Sequence, residues 1–293
     1  MRLFEINPIF ESGKALSEVG TRRIKREDID ATIDHISKLM SIPKEDLHAL
    51  GSVGKIASSG DIDLAVDSNK FNPEHIQALM DNKGVVGMYD SKSHIASYAI
   101  PIRGDEKNGL VQVDLTFTPN PEWAKFSYFS PGEGSRFKGI VRTVLLSAVA
   151  SILNEPGTDH VDYDNGELVV RVGRSIDLPT GLKRQFQYRP KRISGDGYVN
   201  AMKTVEPEDF KKMYPDVELR GGKMVIDDPQ RVVKALFGHS VTPKEVESAE
   251  QILHHIKKKF TRQDQERIFK TAARKLRAEK GKIRLPQEIE QFM

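Results

Sequence analysis

The chain has 293 residues, 38% of them hydrophobic and 30% charged, which is typical of a globular protein with one large or two or three smaller domains. Its apolar stretches are too short to span a bilayer, and its N-terminus lacks the basic-then-apolar pattern of a secretory signal. Cysteine is absent, which excludes disulfides and thiolate metal sites, and the net charge is only +3. We therefore expect an intracellular protein, cytoplasmic or in a nucleoid or nucleus, with no membrane partner.

Hydrophobic spacing predicts the elements of the first half of the chain. Apolar residues three and four apart predict a helix from Lys25 to Met40, ending near Pro43. A second helix is expected to begin at Asn72-Pro73 and to stop at Gly84. Strands are predicted at 47–50, 61–66, 85–89, 95–102 and 110–117, and a further helix at 136–153. Strand, helix and then antiparallel strands make an α+β pattern, so we expect an α+β fold.

The second half of the chain combines predicted hairpins with a helical end. One hairpin is expected over 160–172, turning at Asp164-Asn165-Gly166, and another over 218–226. The sequence from Thr242 to Glu245 is a capping box with proline at the first helical position, and Thr261 with Asp264 marks the next helix start.

Two acids begin the predicted strand at residue 61. Alternate residues of a strand point to the same face, so Asp61 and Asp63 project together in the sequence LGSVGKIASSGDIDLAVD. Neighbouring carboxylates repel each other and raise each other's pKa. Solvent can relieve this repulsion, and so can a divalent cation. Oxygen-only ligands favour Mg²⁺.

A third acid, Asp114, lies inside the β-branched strand predicted at 110–117, where aspartate is rare. If this strand lies beside the Asp61 strand, the three carboxylates share one face of a sheet. Alternatively, Asp114 faces solvent from an amphipathic strand. Taken with Asp61 and Asp63, it favours a site for two Mg²⁺ ions, with Mn²⁺ as a substitute.

Gly51-Ser52 suits phosphate binding, because glycine lets the backbone approach a phosphate and the amides of a turn donate to its oxygens. An ordinary turn has the same sequence, so this pair alone indicates little. Gly54-Lys55 does not continue into a P-loop, which requires glycine at position 49 and Ser or Thr at position 56; Ala49 and Ile56 stand there.

These motifs resemble the polymerase-β-like nucleotidyltransferase superfamily, and most closely the catalytic palm of family X DNA polymerases. The resemblance covers about residues 45–155 and rests on Gly51-Ser52, on 58–63 (SSGDID), on 113–115 (VDL) and on 128–132 (YFSPG). The last segment is similar to the family's YFTGS, which lines the sugar and base of the incoming nucleotide. Pro131 and the additional Glu133-Gly134 depart from that pattern.

The resemblance implies a palm fold in which two Mg²⁺ ions support the attack of a hydroxyl on the α-phosphate of an NTP or dNTP, with pyrophosphate leaving. It implies that Asp61 and Asp63 bind both ions, that Asp114 binds the catalytic ion and helps to activate the nucleophile, and that Ser52 holds the terminal phosphates. The residues expected to contact the nucleotide are Gly51, Ser52, Lys55, Ser59, Gly60, Tyr128, Phe129 and Gly132. Lys138 and Arg142 stand where the family contacts the nascent base pair or the template.

The resemblance and the element pattern together predict four segments. These are an N-terminal helical segment at 1–44, the nucleotidyltransferase palm at 45–155, a thumb-like α+β region at 156–227 and a mainly helical region at 228–293. The segment before residue 45 is too short for the DNA-gripping and lyase domain that many family X polymerases carry.

The acceptor is expected to be the 3′-hydroxyl of a nucleic acid, with DNA favoured over RNA. Basic residues alternate with Phe186 and Tyr188, an arrangement that suits single strands because charges hold phosphates and rings stack on bases. These predicted nucleic-acid contacts are Lys183, Arg184, Arg189 and Arg192, beside Lys191. A second basic face that would suit a nucleic-acid backbone is expected on the C-terminal helices, at Lys257, Lys258, Lys259, Arg267, Lys270, Arg274 and Arg277. The structural alternatives are a solvated basic loop for the first group and an ordinary charged helix face for the second.

The sequence also allows two alternatives to nucleotide transfer onto DNA: transfer to another acceptor, and nucleic-acid binding without activity. The superfamily also modifies RNA or tRNA 3′ ends, small molecules and proteins, so the fold does not decide the acceptor. A nucleic-acid-binding module without activity is a third possibility. The three acids disfavour it, because a repulsive cluster without metal adds no stability.

Overall fold

The computed structural model describes residues 16, 19–153, 159–163, 168–178, 181–190, 193–194, 197–198, 203–205, 207–213 and 225–293. The chain divides into two compact units, Met1–Gly139 and Ile140–Met293. In agreement with the expected class, both units combine helices with strands, and the protein is α+β. Among the described residues, no helix combines the length and the apolar character needed to cross a membrane.

The first unit is built around a mixed sheet. Its elements are β1 (Ile24–Lys25), α1 (Arg26–Met40), β2 (His48–Ala49), β3 (Ser58–Ser59), β4 (Asp61–Asp67), α2 (Pro73–Asn82), β5 (Gly87–Asp90), β6 (Ile95–Pro101), β7 (Leu110–Thr118) and α3 (Pro121–Ser127). Five strands are ordered β2-β4-β7-β6-β5, with β4 parallel to β7 and the other pairs antiparallel. β1 and β3 form a separate antiparallel pair.

Strict alternation gives this sheet one apolar face. Ile62 and Leu64 of β4 and Val113 and Leu115 of β7 are fully buried against α1 and α2 in a single core. α1 contributes apolar residues at helical spacing, as predicted, and ends at Ser41 in the left-handed conformation. Because side chains alternate, the opposite face of the same strands carries the acids.

Short-range signals explain where the helices of this unit begin. The Asn72 side chain accepts a hydrogen bond from the amide of His75, and Pro73 occupies the first turn of α2. Asn120 and Pro121 repeat this arrangement at α3, a helix that the sequence analysis did not predict. The connection between β6 and β7 contains two short 3₁₀ helices, Ile102–Gly104 and Glu106–Asn108.

The second unit begins with α4 (Gly139–Ile152), whose first residue lies at the boundary. Its strands are β8 (Asp159–Tyr163), β9 (Leu168–Asp177), β10 (Gly181–Pro190), β11 (Ile193–Ser194), β12 (Gly197–Tyr198), β13 (Lys203–Val205) and β14 (Val225–Ile226). Its further helices are α5 (Pro207–Met213), α6 (Pro229–Phe237), α7 (Ala249–Lys259), α8 (Arg262–Lys275) and α9 (Gln287–Glu290). One sheet is ordered β13-β10-β9-β8 with β14 also on β10, and β11 pairs with β12.

The predicted hairpin over 160–172 corresponds to the antiparallel strands β8 and β9, and its turn lies outside the described residues. Most of the hairpin predicted over 218–226 also lies outside them. The capping box at Thr242 is present, but it begins only a 3₁₀ turn, Pro243–Val246. A second capping box, Ser248 with Gln251, starts the α-helix α7.

Candidate metal centre

The parallel pairing of β4 with β7 brings the three acids together. In the register of these strands Asp63 lies opposite Asp114, and Asp61 lies opposite Gln112. One carboxylate oxygen from each of Asp61, Asp63 and Asp114 lies within 4.8 Å of the others. The alternative in which Asp114 points away into solvent therefore does not apply.

The cluster is largely withdrawn from solvent. Asp61 is only 6% exposed, and Asp63 and Asp114 are half-buried. Burial raises the pKa of Asp63 well above its ordinary value, and the charges of Asp61 and Asp114 raise that pKa further. Burial also raises the pKa of Asp114, an effect that hydrogen bonds from Ser97 and Gln112 partly oppose. Water therefore screens the repulsion between these three acids only weakly.

Two neutral side chains hold the third acid. Ser97 lies directly opposite Asp114 on β6, and its hydroxyl hydrogen-bonds the carboxylate. Gln112 lies two residues before Asp114 on the same face of β7. Its Nε2 donates to both Oδ1 and Oδ2 of Asp114, each at 2.9 Å. These bonds fix the carboxylate orientation without adding a positive charge.

The chain before the cluster folds into a tight loop over it. Gly51 has φ +56°, in the left-handed region that glycine tolerates, and a Cβ there would lie 3.4 Å from Oδ2 of Asp63. The Leu50 amide donates to the Asp63 carbonyl, and the Lys55 amide donates to the Ser52 carbonyl. Ser52 is half-buried in this loop. The Gly51-Ser52 backbone therefore passes directly beside the acids.

Lys55 connects this loop to the segment 128–132. Its Nζ donates to the Ser130 carbonyl at 3.0 Å and lies 3.9 Å from the centre of the Phe129 ring. Gly51 and Phe129 form an isolated parallel bridge. A Cβ on Gly132, where φ is +70°, would approach Cβ of Lys55 to 3.0 Å. The predicted nucleotide contact Lys55 is thus engaged within the protein, and Gly132 permits the close approach.

The remaining predicted nucleotide contacts lie around the same loop. Ser59 is buried on β3, and Gly60 follows it immediately before the cluster. Tyr128 is half-buried and packs against Leu50, Ala65 and Ala124, on the acid-bearing side of the sheet.

Arg23, which precedes β1, lies at this loop, although no pattern in the sequence points to it. Its Nε donates to the Ser58 hydroxyl at 3.2 Å, and its Nη2 donates to the Ser58 carbonyl at 2.5 Å. A Cβ on Gly60 would lie 3.7 Å from Nη1 of Arg23. This exposed guanidinium therefore borders the loop that leads into Asp61. Only the β1–β3 pairing, which no local pattern predicts, brings it there.

The predicted nucleic-acid contacts divide between accessible and buried positions. Lys138 is exposed and Lys183 is half-buried. Arg142 is 1% exposed, and its Nε donates to the Val246 carbonyl at 2.8 Å. This is a correction, because the apolar face of α4 carries Arg142 into the interior of the second unit, where a template cannot reach it.

Arg184 and Arg189 lie on β10 in its pairing with β9, and Arg192 and Lys191 lie outside the described residues. On the C-terminal helices, several basic side chains are engaged by neighbours. The ion pairs join Lys257 to Glu288, Arg267 to Asp264 and Lys270 to Glu266. Lys259 donates to the Phe237 carbonyl and the Ser240 hydroxyl. These lysines and arginines behave largely as an ordinary charged surface.

The acid cluster fits a hard divalent cation. It offers only oxygen donors, which is the preference of Mg²⁺ and Mn²⁺, and its carboxylates are already gathered within ligand reach of one point. A cation would also compensate the repulsion that raises the pKa of Asp63. Exposed acids are common without a metal, but half-buried acids on adjacent parallel strands are costly to retain.

Comparison with known proteins leaves the site to be judged on its geometry. Neither a scan against protein-family models nor a search of curated proteins gives a match.

Proposed function

We propose that this protein is a metal-dependent nucleotidyltransferase of the polymerase-β-like kind. It transfers a nucleotide from an NTP or dNTP to a hydroxyl group and releases pyrophosphate. The observation that carries this proposal is the parallel register of β4 and β7, which gathers Asp61, Asp63 and Asp114 beside the Gly51-Ser52 loop. An oxygen-only cluster next to a glycine turn joins a cation site to a phosphate site, and phosphoryl transfer needs both.

Each side chain then has a role that follows from its position. Asp61, Asp63 and Asp114 hold two Mg²⁺ ions, which when bound neutralise phosphate charge and acidify the attacking hydroxyl. The Gly51-Ser52 backbone and the Ser52 hydroxyl bind the terminal phosphates, and Arg23 supplies a positive charge at the edge of the loop. Tyr128 and Phe129 border the same space.

The bonds of the transfer balance with these groups. The acceptor oxygen bonds to the α-phosphorus as the bond from that phosphorus to the α–β bridging oxygen breaks, and pyrophosphate carries the charge away. The hydroxyl proton passes to a carboxylate. Asp114 is the candidate to receive it, because its carboxylate lies in the cluster and hydrogen bonds from Ser97 and Gln112 hold it in place.

A nucleic-acid 3′-hydroxyl is the first candidate acceptor. Lys138 is exposed immediately before α4, and the second unit exposes further cations. Arg231, Lys234 and His239 line a concave surface at α6 together with Ile226 and Ala235. Cationic and apolar side chains in one concave surface suit phosphates and bases.

A small-molecule or protein hydroxyl is the second candidate, and one observation favours it. Arg142 is buried, and Lys257, Arg267 and Lys270 are paired with acids, so several basic residues that favoured nucleic acid are committed within the protein. Fewer cations then remain to hold a strand.

One labelling experiment separates the candidates. Purified protein is incubated with Mg²⁺ and an α-labelled NTP or dNTP, with and without DNA and RNA primers. Label on a primer supports the nucleic-acid acceptor, and label on the protein or on a small molecule from lysate supports the second candidate. The Asp63→Asn variant is the blank. No label above that blank with any acceptor would count against the proposed activity.

A further inference from the structure

A buried oxygen beside the acid cluster has no hydrogen-bond partner among the described residues. Gln112 is 1% exposed, and its Oε1 accepts no hydrogen bond from the described residues. Buried polar atoms of side chains are nearly always hydrogen-bonded, and an unbonded acceptor is costly to keep away from water. An apolar residue of similar size would avoid that penalty, so a glutamine at this position indicates that Oε1 has a partner when the site is occupied.

The orientation of the amide is fixed by its other end. Nε2 of Gln112 donates to both oxygens of Asp114. Exchanging Nε2 and Oε1 would set an amide oxygen against two carboxylate oxygens, acceptor against acceptor. Oε1 is therefore the unbonded atom. Since it shares one carbon with Nε2, it lies beside the Asp114 carboxylate.

The sheet places this oxygen at the cluster. Gln112 lies opposite Asp61 in the register of β4 and β7, and it lies on the same face as Asp63 and Asp114. A donor that bonds to Oε1 therefore lies next to the carboxylates. Carboxylates supply no such donor when they are ionised, and neither does a bare cation. A water molecule or a hydroxyl group does.

We propose that Oε1 of Gln112 accepts a hydrogen bond from a hydroxyl or water held at the carboxylate cluster, such as a water bound to a divalent cation. This inference rests on the proposed metal site and adds a residue to it. Gln112 acts from both ends of one amide: Nε2 orients Asp114, and Oε1 orients the oxygen ligand beside it. It is a positioning residue, because its contact to a cation runs through Asp114 and through that water or hydroxyl.

The test is a titration with Mn²⁺ alone, followed by the electron paramagnetic resonance signal of free Mn²⁺. Gln112→Met keeps the length of the side chain and removes both ends of the amide. Ser97→Ala removes another donor to Asp114 and leaves Oε1 in place. Gln77→Met is the matched control, since Gln77 also donates to a carboxylate, Asp81, but on α2 away from the cluster.

We expect Gln112→Met to weaken Mn²⁺ binding by about 10-fold or more, the size found when outer partners of metal ligands are lost. Ser97→Ala should weaken binding by only about 3-fold, the size of one ordinary hydrogen bond, because it removes a single hydrogen bond to Asp114, and Gln77→Met should leave binding unchanged within error. Equal losses in Gln112→Met and Ser97→Ala would overturn the proposal, because Oε1 would then contribute nothing.

Two further measurements keep the result decisive. If circular dichroism shows that Gln112→Met does not fold, Gln112→Asn replaces it, because the side chain is one carbon shorter and its amide no longer reaches Asp114 or the bound oxygen. Mn²⁺ binding at the wild-type level in Gln112→Asn would overturn the proposal. If the wild-type protein binds Mn²⁺ but labels no acceptor, the proposed activity fails and the Gln112 inference is still decided by the titration. If the wild-type protein binds no Mn²⁺, the inference is overturned.

Discussion

Charged residues are arranged in opposite ways in the two units. In the first unit, Asp61, Asp63 and Asp114 carry one sign of charge and lie partly or fully buried within 4.8 Å. In the second unit, the exposed helix cations Lys212, Lys257, Arg267 and Lys270 each lie beside an acid. Exposed pairs cost little and contribute about 0–1 kcal/mol, whereas a buried cluster of like charge is unfavourable without a ligand. Charge density is therefore a weaker sign of a site than uncompensated burial.

The largest effect should follow from changing one buried acid. We expect Asp63→Asn to lower nucleotide transfer by at least about a thousandfold, because losing a metal ligand removes several kcal/mol of charge stabilisation at about 1.4 kcal/mol per factor of ten. Nucleotide binding should stay within a few-fold. The measurement is transfer of an α-labelled nucleotide at saturating substrate.

Asp67→Asn is the control for this change, since Asp67 ends the same strand and lies outside the cluster. Full activity in Asp63→Asn, or an equal loss in Asp67→Asn, would contradict the proposed catalytic role of the clustered acids.

The next effect concerns the loop beside the acids. We expect Gly51→Ala to destabilise the fold by about 1–2 kcal/mol, the strain of a left-handed residue with a Cβ, and to weaken nucleotide binding by about tenfold, or about 1.4 kcal/mol. The added Cβ would lie 3.4 Å from Asp63. Urea unfolding and fluorescence anisotropy with a labelled nucleotide measure the two effects.

Gly84→Ala separates strain from site chemistry. Gly84 has φ +70° and no atom within 4 Å of the position of an added Cβ, so it should lose similar stability and no nucleotide affinity. If both variants lose affinity equally, the effect of Gly51→Ala is a general loss of stability.

A smaller effect is expected among the exposed cations of the second unit. Replacing both Arg231 and Lys234 with alanine should weaken oligonucleotide binding by about 5-fold and lower the salt slope by about 2, one for each phosphate contact. Lys270→Ala should change affinity by less than about 2-fold, because Lys270 is paired with Glu266. Anisotropy with a labelled oligonucleotide at several salt concentrations tests both.

If Lys270→Ala weakened oligonucleotide binding more than the double replacement of Arg231 and Lys234, ion pairing with an acid would not predict which basic residues contact nucleic acid. No affinity for any oligonucleotide would leave the small-molecule or protein acceptor as the favoured one.

The smallest effect is a dependence of stability on pH without metal. The pKa of Asp63 is raised in the folded state, so the folded protein holds this proton more tightly than the unfolded chain. That contribution is complete below the unfolded pKa and is lost as the pH rises through the raised folded pKa. The contribution of Asp63 to the stability of the metal-free protein should therefore be smaller at pH 8 than at pH 5, whereas the lowered pKa values of His35, His48 and His255 act in the opposite direction over the same range.

At pH 8 Asp63→Asn should raise the melting temperature by about 2–4 °C, the shift that 1 kcal/mol produces in a domain of this size. Glu266→Gln, on an exposed pair, should shift it by less than about 1 °C. Melting measured by circular dichroism in chelator decides this. A lower melting temperature for Asp63→Asn would mean that the charge of Asp63 is stabilised within the protein.

Local patterns in the sequence predict much of the first unit. The alternation in 61–67 and 110–118 and the signals at Asn72-Pro73 specify strands and a helix start, because they depend on neighbours in the chain. The same alternation puts Asp61 and Asp63 on one face. The parallel pairing of β4 with β7 is non-local, so the sequence places Asp114 beside the other two acids only on the condition that these strands are neighbours.

Other features depend on tertiary contacts that no local pattern encodes. Arginine is usually found at the protein surface, yet Arg142 is buried because it lies on the apolar face of α4. Arg23 lies far from Ser58 in sequence and reaches it only through β1 and β3. The role of Gln112 depends on its unbonded oxygen, which is visible only when the partners of every buried atom are known.

The metal site is tested most directly with a crystal of the full chain soaked in Mn²⁺ and measured at a wavelength where manganese scatters anomalously. We expect an anomalous peak bonded to carboxylate oxygens of Asp61 and Asp63, within about 2.5 Å of each. A map in which the three carboxylates are ordered and no anomalous peak lies among them at millimolar Mn²⁺ would contradict this expectation.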